Sequence, residues 1–158
     1  MPIILIWGDD YDASNREIEK IIESVIDPSW KSFNYSQFDG NDTKQNLRAL
    51  EEVQSSPLGS GGRIVLVRRS QFCNGNSIDL ANKFEQVIKL IPDNTYLILN
   101  SSNKPDKRLK TTKLIEKNIK LNGLSKEKKF TLPLPWDING QRNLVKNISK
   151  KIKYKNEQ

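Results

Sequence analysis

Two hydrophobic patterns alternate along this chain. Short continuous apolar runs occur at residues 3–7, 64–67 and 96–99, and such runs are typical of strands buried on both faces of a parallel sheet. Between the runs, apolar residues recur at i, i+3, i+4 and i+7, which is the spacing of one face of an amphipathic helix. The alternation predicts an α/β fold in which helices cover both faces of a parallel sheet.

Weaker patterns complete a sheet of five strands. Aromatic residues alternate over residues 30–38 and favour a second strand, and residues 129–132 indicate a final one. The remaining helix starts are predicted where capping side chains precede helical periodicity, namely at Ser14, at Asp42 or Thr43, at Ser77 and at residues 106–108. The start at Ser14 rests on Glu17, because Ser and Glu three residues apart form a capping box.

A pair of prolines marks the expected end of the first domain. Pro133 and Pro135 break any regular element, so residues 1–136 are predicted to form the α/β domain. Beyond them lies one lysine-rich amphipathic helix, whose apolar positions are Leu144, Val145, Ile148 and Ile152. One helix is too little for a domain. We therefore expect residues 137–158 to be the start of a second, helical domain in a chain that is cut short.

The loop before the strand at residues 63–68 carries the first candidate site. Its sequence, from Pro57 through Leu58 and Gly59 to Gly62, is dominated by small residues that cannot cover a leucine. An apolar tip of this kind is available to a partner. The alternative is an ordinary helix-to-strand turn in which Leu58 folds back onto the core.

The composition excludes several classes of enzyme. The single cysteine, Cys73, excludes an internal disulfide, and the absence of histidine excludes His-based zinc sites, Ser-His-Asp triads and Cys-His dyads. No apolar run exceeds the five residues 3–7, so neither a membrane span nor a signal peptide is predicted. The expected location is the cytoplasm.

The turn after the first strand lacks the features of a phosphate-binding loop. A P-loop needs several glycines followed by Lys and Ser or Thr, whereas Gly8 stands alone. The turn also carries three carboxylates that would repel a triphosphate, those of Asp9, Asp10 and Asp12. We expect no nucleotide, metal ion or other cofactor here, and we interpret the aspartates as turn and cap residues.

The strand at residues 63–68 ends in arginines. Nucleotide-hydrolysing α/β proteins place an acidic residue at such a position to hold magnesium, but here Arg68 and Arg69 follow the apolar run. This argues against an ATPase. Together with Arg63, these arginines are expected to pair with surface carboxylates. In oligomeric nucleotide-hydrolysing assemblies, a basic residue can also face a neighbouring subunit's nucleotide.

The net charge of +7 is unevenly distributed. Residues 1–100 carry 10 Lys and Arg against 14 Asp and Glu, whereas residues 101–158 carry 16 against 5. The basic segment could attract nucleic acid, so a nucleic-acid-binding module acting through residues 101–158 is the alternative function. The candidate contacts with DNA or a sister subunit are Lys104, Lys107, Arg108 and Lys110. A solvated helix start is the competing interpretation of these residues.

Several features in order resemble one protein family. They are the strand with Gly-Asp-Asp at residues 3–10, the segments 33–35 and 38–40, Ser-Pro-Leu at 56–58 ahead of residues 63–68, and the segments 95–99 and 104–108. Across about residues 3–136, their order and spacing resemble the N-terminal part of the delta subunit of the bacterial DNA polymerase III clamp loader, of cyanobacterial type. The final helix is similar to the beginning of that family's second, lid-like domain.

The resemblance implies an AAA+-type domain without ATPase activity or a catalytic site of its own. Its implied role in DNA replication is to bind the ring-shaped sliding clamp and hold it open, together with other clamp-loader subunits and with at most weak or indirect DNA contact. In the family, two apolar residues of the tip enter a clamp pocket. These positions fall on Leu58 and Gly59. Because Gly59 has no side chain, Leu58 and Pro57 would have to fill that pocket.

Overall fold

The strands form one parallel sheet in the order β2-β3-β4-β1-β5. The architecture comes from a computed structural model, which describes residues 2–75 and 77–156. The strands are β1 (Ile3–Trp7), β2 (Tyr35–Asp39), β3 (Arg63–Arg68), β4 (Thr95–Ser101) and β5 (Lys126–Lys129). The predicted five-stranded parallel sheet is therefore confirmed, with β4 at its centre and β2 and β5 at its edges.

Helices pack on both faces of the sheet. They are α1 (Tyr11–Val25), α2 (Lys31–Asn34), α3 (Thr43–Glu52), α4 (Ile78–Ile88), α5 (Lys110–Leu121) and α6 (Ile138–Asn156), with one 3-10 turn at Pro28–Trp30. Alternate strand residues face opposite sides. Val65 and Val67 thus join the core with α3, α4 and α5, whereas Ile64 and Leu66 join the core with α1. In the described part of the chain, no helix is long and apolar enough to cross a membrane.

The parallel arrangement separates the candidate sites. The loop that ends at Arg63 lies along the edge of the sheet that is formed by the N-terminal ends of the strands. The turn after β1 and the basic residues after β4 lie at the opposite edge, where strands end. The loop containing Leu58 and the nucleotide-binding edge of related α/β folds are therefore on opposite sides of the domain.

Two helices begin at residues other than the predicted ones. Helix α1 begins at Tyr11, three residues before the predicted start, because the Asp10 carboxylate accepts a hydrogen bond from the Ala13 backbone N–H at 3.0 Å. Ser14 is buried inside the helix. Helix α5 begins at Lys110, since residues 106–108 form a turn instead. By contrast, the predicted cap at Ser77 and the cap at residue 42 are confirmed.

Two predicted strands also differ from the structure. The aromatic segment 30–38 is a strand only from Tyr35, because Asp27 caps the 3-10 turn and Pro28 occupies its first position. The last strand is Lys126–Lys129 and not residues 129–132. This edge strand is largely exposed and carries only charged side chains, so hydrophobicity gave no signal for it.

The C-terminal helix forms where the apolar spacing predicted it. None of the described residues of α6 is buried, and its apolar residues Val145, Ile148 and Ile152 are exposed. The division into a domain at residues 1–136 and the start of another at 137–158 stays a prediction.

Candidate functional site

The loop between α3 and β3 is fixed by a buried asparagine. We call residues 55–62 the tip. Asn34, at the end of α2, is fully buried, and its side-chain Oδ1 accepts a hydrogen bond from the Leu58 backbone N–H at 2.8 Å. Its Nδ2 donates to the Leu58 carbonyl, also at 2.8 Å. Both backbone polar groups of Leu58 are thereby satisfied by one rigidly held side chain, which fixes the leucine's position.

Further hydrogen bonds hold the two ends of the tip. At its start, the Thr95 hydroxyl donates to the Ser55 carbonyl at 2.8 Å. At its end, the Gly62 N–H donates to the Val25 carbonyl at 2.8 Å, next to an antiparallel bridge between Ile26 and Gly61. The tip is therefore attached to β4 and to the end of α1, as well as to α2.

Asp27 links the tip to the 3-10 turn. Its carboxylate accepts hydrogen bonds from the Ser60 hydroxyl and from the Ser29 backbone N–H. The hydrogen bond from Ser60, followed by that from Ser29, lowers the pKa of Asp27 from its ordinary value. The carboxylate thus bridges the 3-10 turn and the tip.

Gly59 packs directly against a tryptophan. Its φ of +64° lies in the left-handed region, and a Cβ there would fall 2.1 Å from Cε2 of Trp30. Only glycine fits this position. The Trp30 ring in turn lies against Phe33, with 6.1 Å between the ring centroids and a tilt of 54°. The space that a side chain at position 59 would need is thus occupied by an aromatic ring from the neighbouring segment.

The Leu58 side chain is exposed. Its exposed fraction is 49%, whereas Pro57 is half-buried. The alternative in which Leu58 folds back onto the core is therefore wrong, and the predicted apolar tip is present. Whether a clamp occupies it stays a prediction.

The three arginines around β3 are paired within the chain. Arg63, 8% exposed, contacts the Glu52 carboxylate at 3.0 Å, and the Ser36 hydroxyl donates to the same carboxylate. Arg69 pairs with Asp39, and Arg68 donates to the side-chain oxygen of Asn15 at 2.5 Å. The prediction of pairing with carboxylates is confirmed for Arg63 and Arg69, while Arg68 uses an amide.

The segment after β5 closes the turn that follows β1. The Phe130 carbonyl accepts a hydrogen bond from the Asp10 N–H at 3.1 Å, and a Cβ on Gly8 would fall 1.8 Å from that carbonyl oxygen. Asp9 accepts a hydrogen bond from the Leu132 N–H at 2.8 Å. Asp9 and Asp10 therefore act as turn and cap residues, as predicted, while Asp12 is exposed in the first turn of α1.

The basic residues after β4 do not form a free cluster. Arg108 binds both carboxylate oxygens of Asp106, at 3.0 and 2.8 Å, and this hydrogen bonding lowers the pKa of Asp106 to about 2. Lys110 pairs with Glu85 at 2.5 Å. The other two candidates, Lys104 and Lys107, are exposed. Two of the four candidates for contact with DNA or a sister subunit thus form ion pairs with carboxylates, and their role stays a prediction.

Cys73 is buried in the loop after β3. Burial raises the pKa of its thiol to about 11. A buried thiol in this state is unreactive at neutral pH.

The residues that build the tip's support were not found from sequence. The aromatic pattern predicts a strand at Asn34, which instead ends α2, and a buried amide that faces a loop has no sequence signature. Trp30 and Phe33 carried a usable signal, because their spacing of three residues is helical and not alternating.

Comparison with solved structures identifies the class of fold. The structure is similar to the Bacillus subtilis DNA clamp loader delta protein, with a TM-score of 0.68 and 21% identity, covering 84% of this chain and 39% of that one. It is also similar to a DNA polymerase III gamma subunit-related protein of Thermotoga maritima, with a TM-score of 0.52 and 17% identity, covering 92% and 45%. The fold is therefore that of the AAA+-like domains of clamp-loader proteins, and the chain spans less than half the length of either.

The family follows from the sequence match. A family model described as DNA polymerase III, delta subunit, matches residues 4–123, a range that includes the tip. The chain therefore belongs to the DNA polymerase III delta subunit family, which confirms the resemblance. Among curated proteins, no match to the chain is found.

Proposed function

We propose that this chain is the part of a clamp-loader delta subunit that grips the sliding clamp through the tip and holds the ring open. Its contribution is non-catalytic, and its site of action is the cytoplasm, during DNA replication. The observation that carries the proposal is the 49% exposed Leu58 on a loop whose backbone is fixed by Asn34. Membership of the delta family, together with the likeness to a clamp loader delta protein, supports the sliding clamp as the proposed partner.

The anchoring of the tip favours binding. A loop that is already ordered loses little conformational entropy when it enters a partner's pocket, so more of the contact energy appears as affinity. Burial of one leucine contributes roughly 1.5–3 kcal/mol. Leu58 and Pro57 alone would therefore bind weakly, and other contacts must add to them.

Ring opening requires only differential affinity. If the tip binds the opened ring more tightly than the closed ring, the equilibrium shifts toward the open state by that difference, without ATP hydrolysis by this chain. The turn after β1 is consistent with a non-catalytic role, because the N-terminus of α1 is capped by the chain's own Asp10 carboxylate. Nucleotide hydrolysis is assigned to sister subunits, which we propose as the other partners.

Direct DNA binding is not needed by this proposal. Arg108 and Lys110, two of the four candidate contacts, pair with Asp106 and Glu85, and no described contact favours the nucleic-acid-binding alternative. Any contact with DNA is expected to be weak or indirect.

Calorimetric titration of the chain into its cognate clamp tests the proposal. The variants are Leu58→Asp and the matched control Leu121→Asp, whose leucine is 77% exposed at the end of α5. We expect the native chain and the control to bind alike and the Leu58→Asp variant to bind at least about ten-fold more weakly. If all three proteins bind equally, Leu58 has no role in clamp binding. If none of them binds, the clamp is not the partner of this chain.

A further inference from the structure

Two exposed aromatic residues lie beside the tip. Trp30 is 36% exposed and Phe33 is 57% exposed, and both belong to the short helical segment between α1 and β2. We propose that Trp30 and Phe33 form the second part of the clamp-contact surface and supply the apolar area that Gly59 lacks. This inference rests on the proposed function and assigns further residues to the same site.

The packing of Gly59 connects the aromatic pair to the tip. The Trp30 indole fills the space into which a side chain at position 59 would project, as the 2.1 Å approach of a Cβ to its ring shows. Phe33 extends the apolar surface beyond Trp30, with the two rings 6.1 Å apart. A bulky residue at position 59 would therefore collide with Trp30. In this chain the aromatic pair provides apolar surface where such a residue would otherwise provide it.

The aromatic pair and Leu58 are held by the same supports. Phe33 directly precedes Asn34, whose amide makes both hydrogen bonds to the Leu58 backbone. The Trp30 N–H donates to the Asp27 carbonyl at 2.9 Å, and the Asp27 carboxylate accepts from the Ser60 hydroxyl. Shared hydrogen bonds therefore tie the two segments together, and Leu58, Trp30 and Phe33 are all exposed on them.

An apolar protein surface suits this patch best. Large aromatic residues at the centre of an interface, with polar residues at its rim, are typical of protein contacts. The charges that flank the patch are already engaged, since Asp27 is hydrogen-bonded and the Lys31 Nζ lies 5.7 Å from the centre of the Tyr35 ring. Because Trp30 packs on Gly59, the residue next to Leu58, we assign the patch to the clamp surface beside the pocket that receives this leucine.

Substitution of Phe33 separates this inference from the proposed function. In the same titration, Phe33→Ser should weaken clamp binding roughly ten-fold, as expected for an aromatic residue central to an interface. Phe33→Leu, which keeps an apolar side chain, should retain most of the affinity. The matched control is Tyr11→Ser, because Tyr11 is 65% exposed at the opposite edge of the sheet and should leave affinity unchanged.

Two outcomes would overturn the inference in different ways. If Leu58→Asp weakens binding and Phe33→Ser does not, the aromatic pair is outside the interface and the proposed function stands. If the native chain does not bind the clamp, the proposed function and this inference fail together. Thermal unfolding of each variant checks that it folds, and the Phe33→Leu variant provides the comparison if Phe33→Ser unfolds.

Discussion

Asn34 and Leu58 are joined by two hydrogen bonds, each 2.8 Å long, in which the asparagine amide satisfies both the N–H and the carbonyl of the leucine backbone. Asn34 is completely buried, while the Leu58 side chain is half exposed. A buried polar group therefore determines where an exposed apolar side chain stands. This is the arrangement expected of a residue that must be presented to a partner in a fixed position.

Replacement of Asn34 should destabilise the domain. Asn34→Ala leaves the Leu58 N–H and carbonyl without the partner that satisfies them, and an unsatisfied buried group costs about 1–3 kcal/mol. The free energy of unfolding, measured by urea titration, should fall by this amount. Clamp affinity should fall as well, although Leu58 itself is unchanged.

The control for this prediction is Asn103→Ala, a substitution in an exposed loop at the other edge of the sheet. It should change the free energy of unfolding by less than about 0.5 kcal/mol. If Asn34→Ala were as stable and bound the clamp as well as the native chain, the asparagine would have no role in holding the tip.

Gly59 should tolerate no side chain while Trp30 is present. Gly59→Ala combines a left-handed φ with a Cβ inside the indole ring, and the strained backbone alone costs about 1–2 kcal/mol. Gly123→Ala, in open space, should have little effect on unfolding. Combining Gly59→Ala with Trp30→Ala should cost less than the sum of the single variants, because the collision is removed. Strict additivity in this double-mutant cycle would contradict the packing.

The buried and exposed arginine pairs should differ in their contribution to stability. Arg63→Ala removes a side chain that is 10% exposed from the Glu52 carboxylate, which should cost about 1–3 kcal/mol in the free energy of unfolding. Arg108→Ala removes a side chain that is 90% exposed from Asp106 and should cost less than about 1 kcal/mol. Chemical denaturation of both variants checks the ranking. A larger loss for Arg108→Ala would contradict the assigned burial.

Cys73 should resist alkylation in the folded protein. With a pKa of about 11, its thiol is about one part in a thousand ionised at pH 8, and it is also inaccessible. Labelling with iodoacetamide, followed by mass spectrometry, should be slow without denaturant and fast in concentrated urea. Equal rates in the two conditions would show that the loop after β3 does not bury this thiol.

Most strands and helices are predictable from the sequence, because long apolar runs and capping residues determine structure locally. The strand residues 3–6, 64–67 and 97–99 are buried on both faces, so their hydrophobicity alone identifies them. The strand β5 was misplaced because it is a charged edge strand whose pairing with β1 depends on the assembled sheet.

The candidate site was predictable only in part. The small residues around Leu58 left both an exposed and a core-facing leucine open, and only the family resemblance favoured exposure. The supports from Asn34, Asp27 and Trp30 lie 24 to 33 residues away along the chain from their partners in the tip, and such contacts have no local signature. The aromatic spacing over residues 30–38 predicts a strand, whereas Asp27 and Pro28 start a 3-10 turn there, and a cap of this kind can also be the stop of the preceding helix.

Site-specific cross-linking tests most directly whether the tip touches the clamp. Ser56→Cys places a reactive thiol beside Leu58 without removing it, and Ser102→Cys places one at the opposite edge of the sheet; both serines are exposed. With a benzophenone maleimide on each variant, in the presence of the cognate clamp, we predict cross-links to the clamp from position 56 and none from position 102. A complex that cross-links from position 102, or that forms without any cross-link from position 56, would contradict the account.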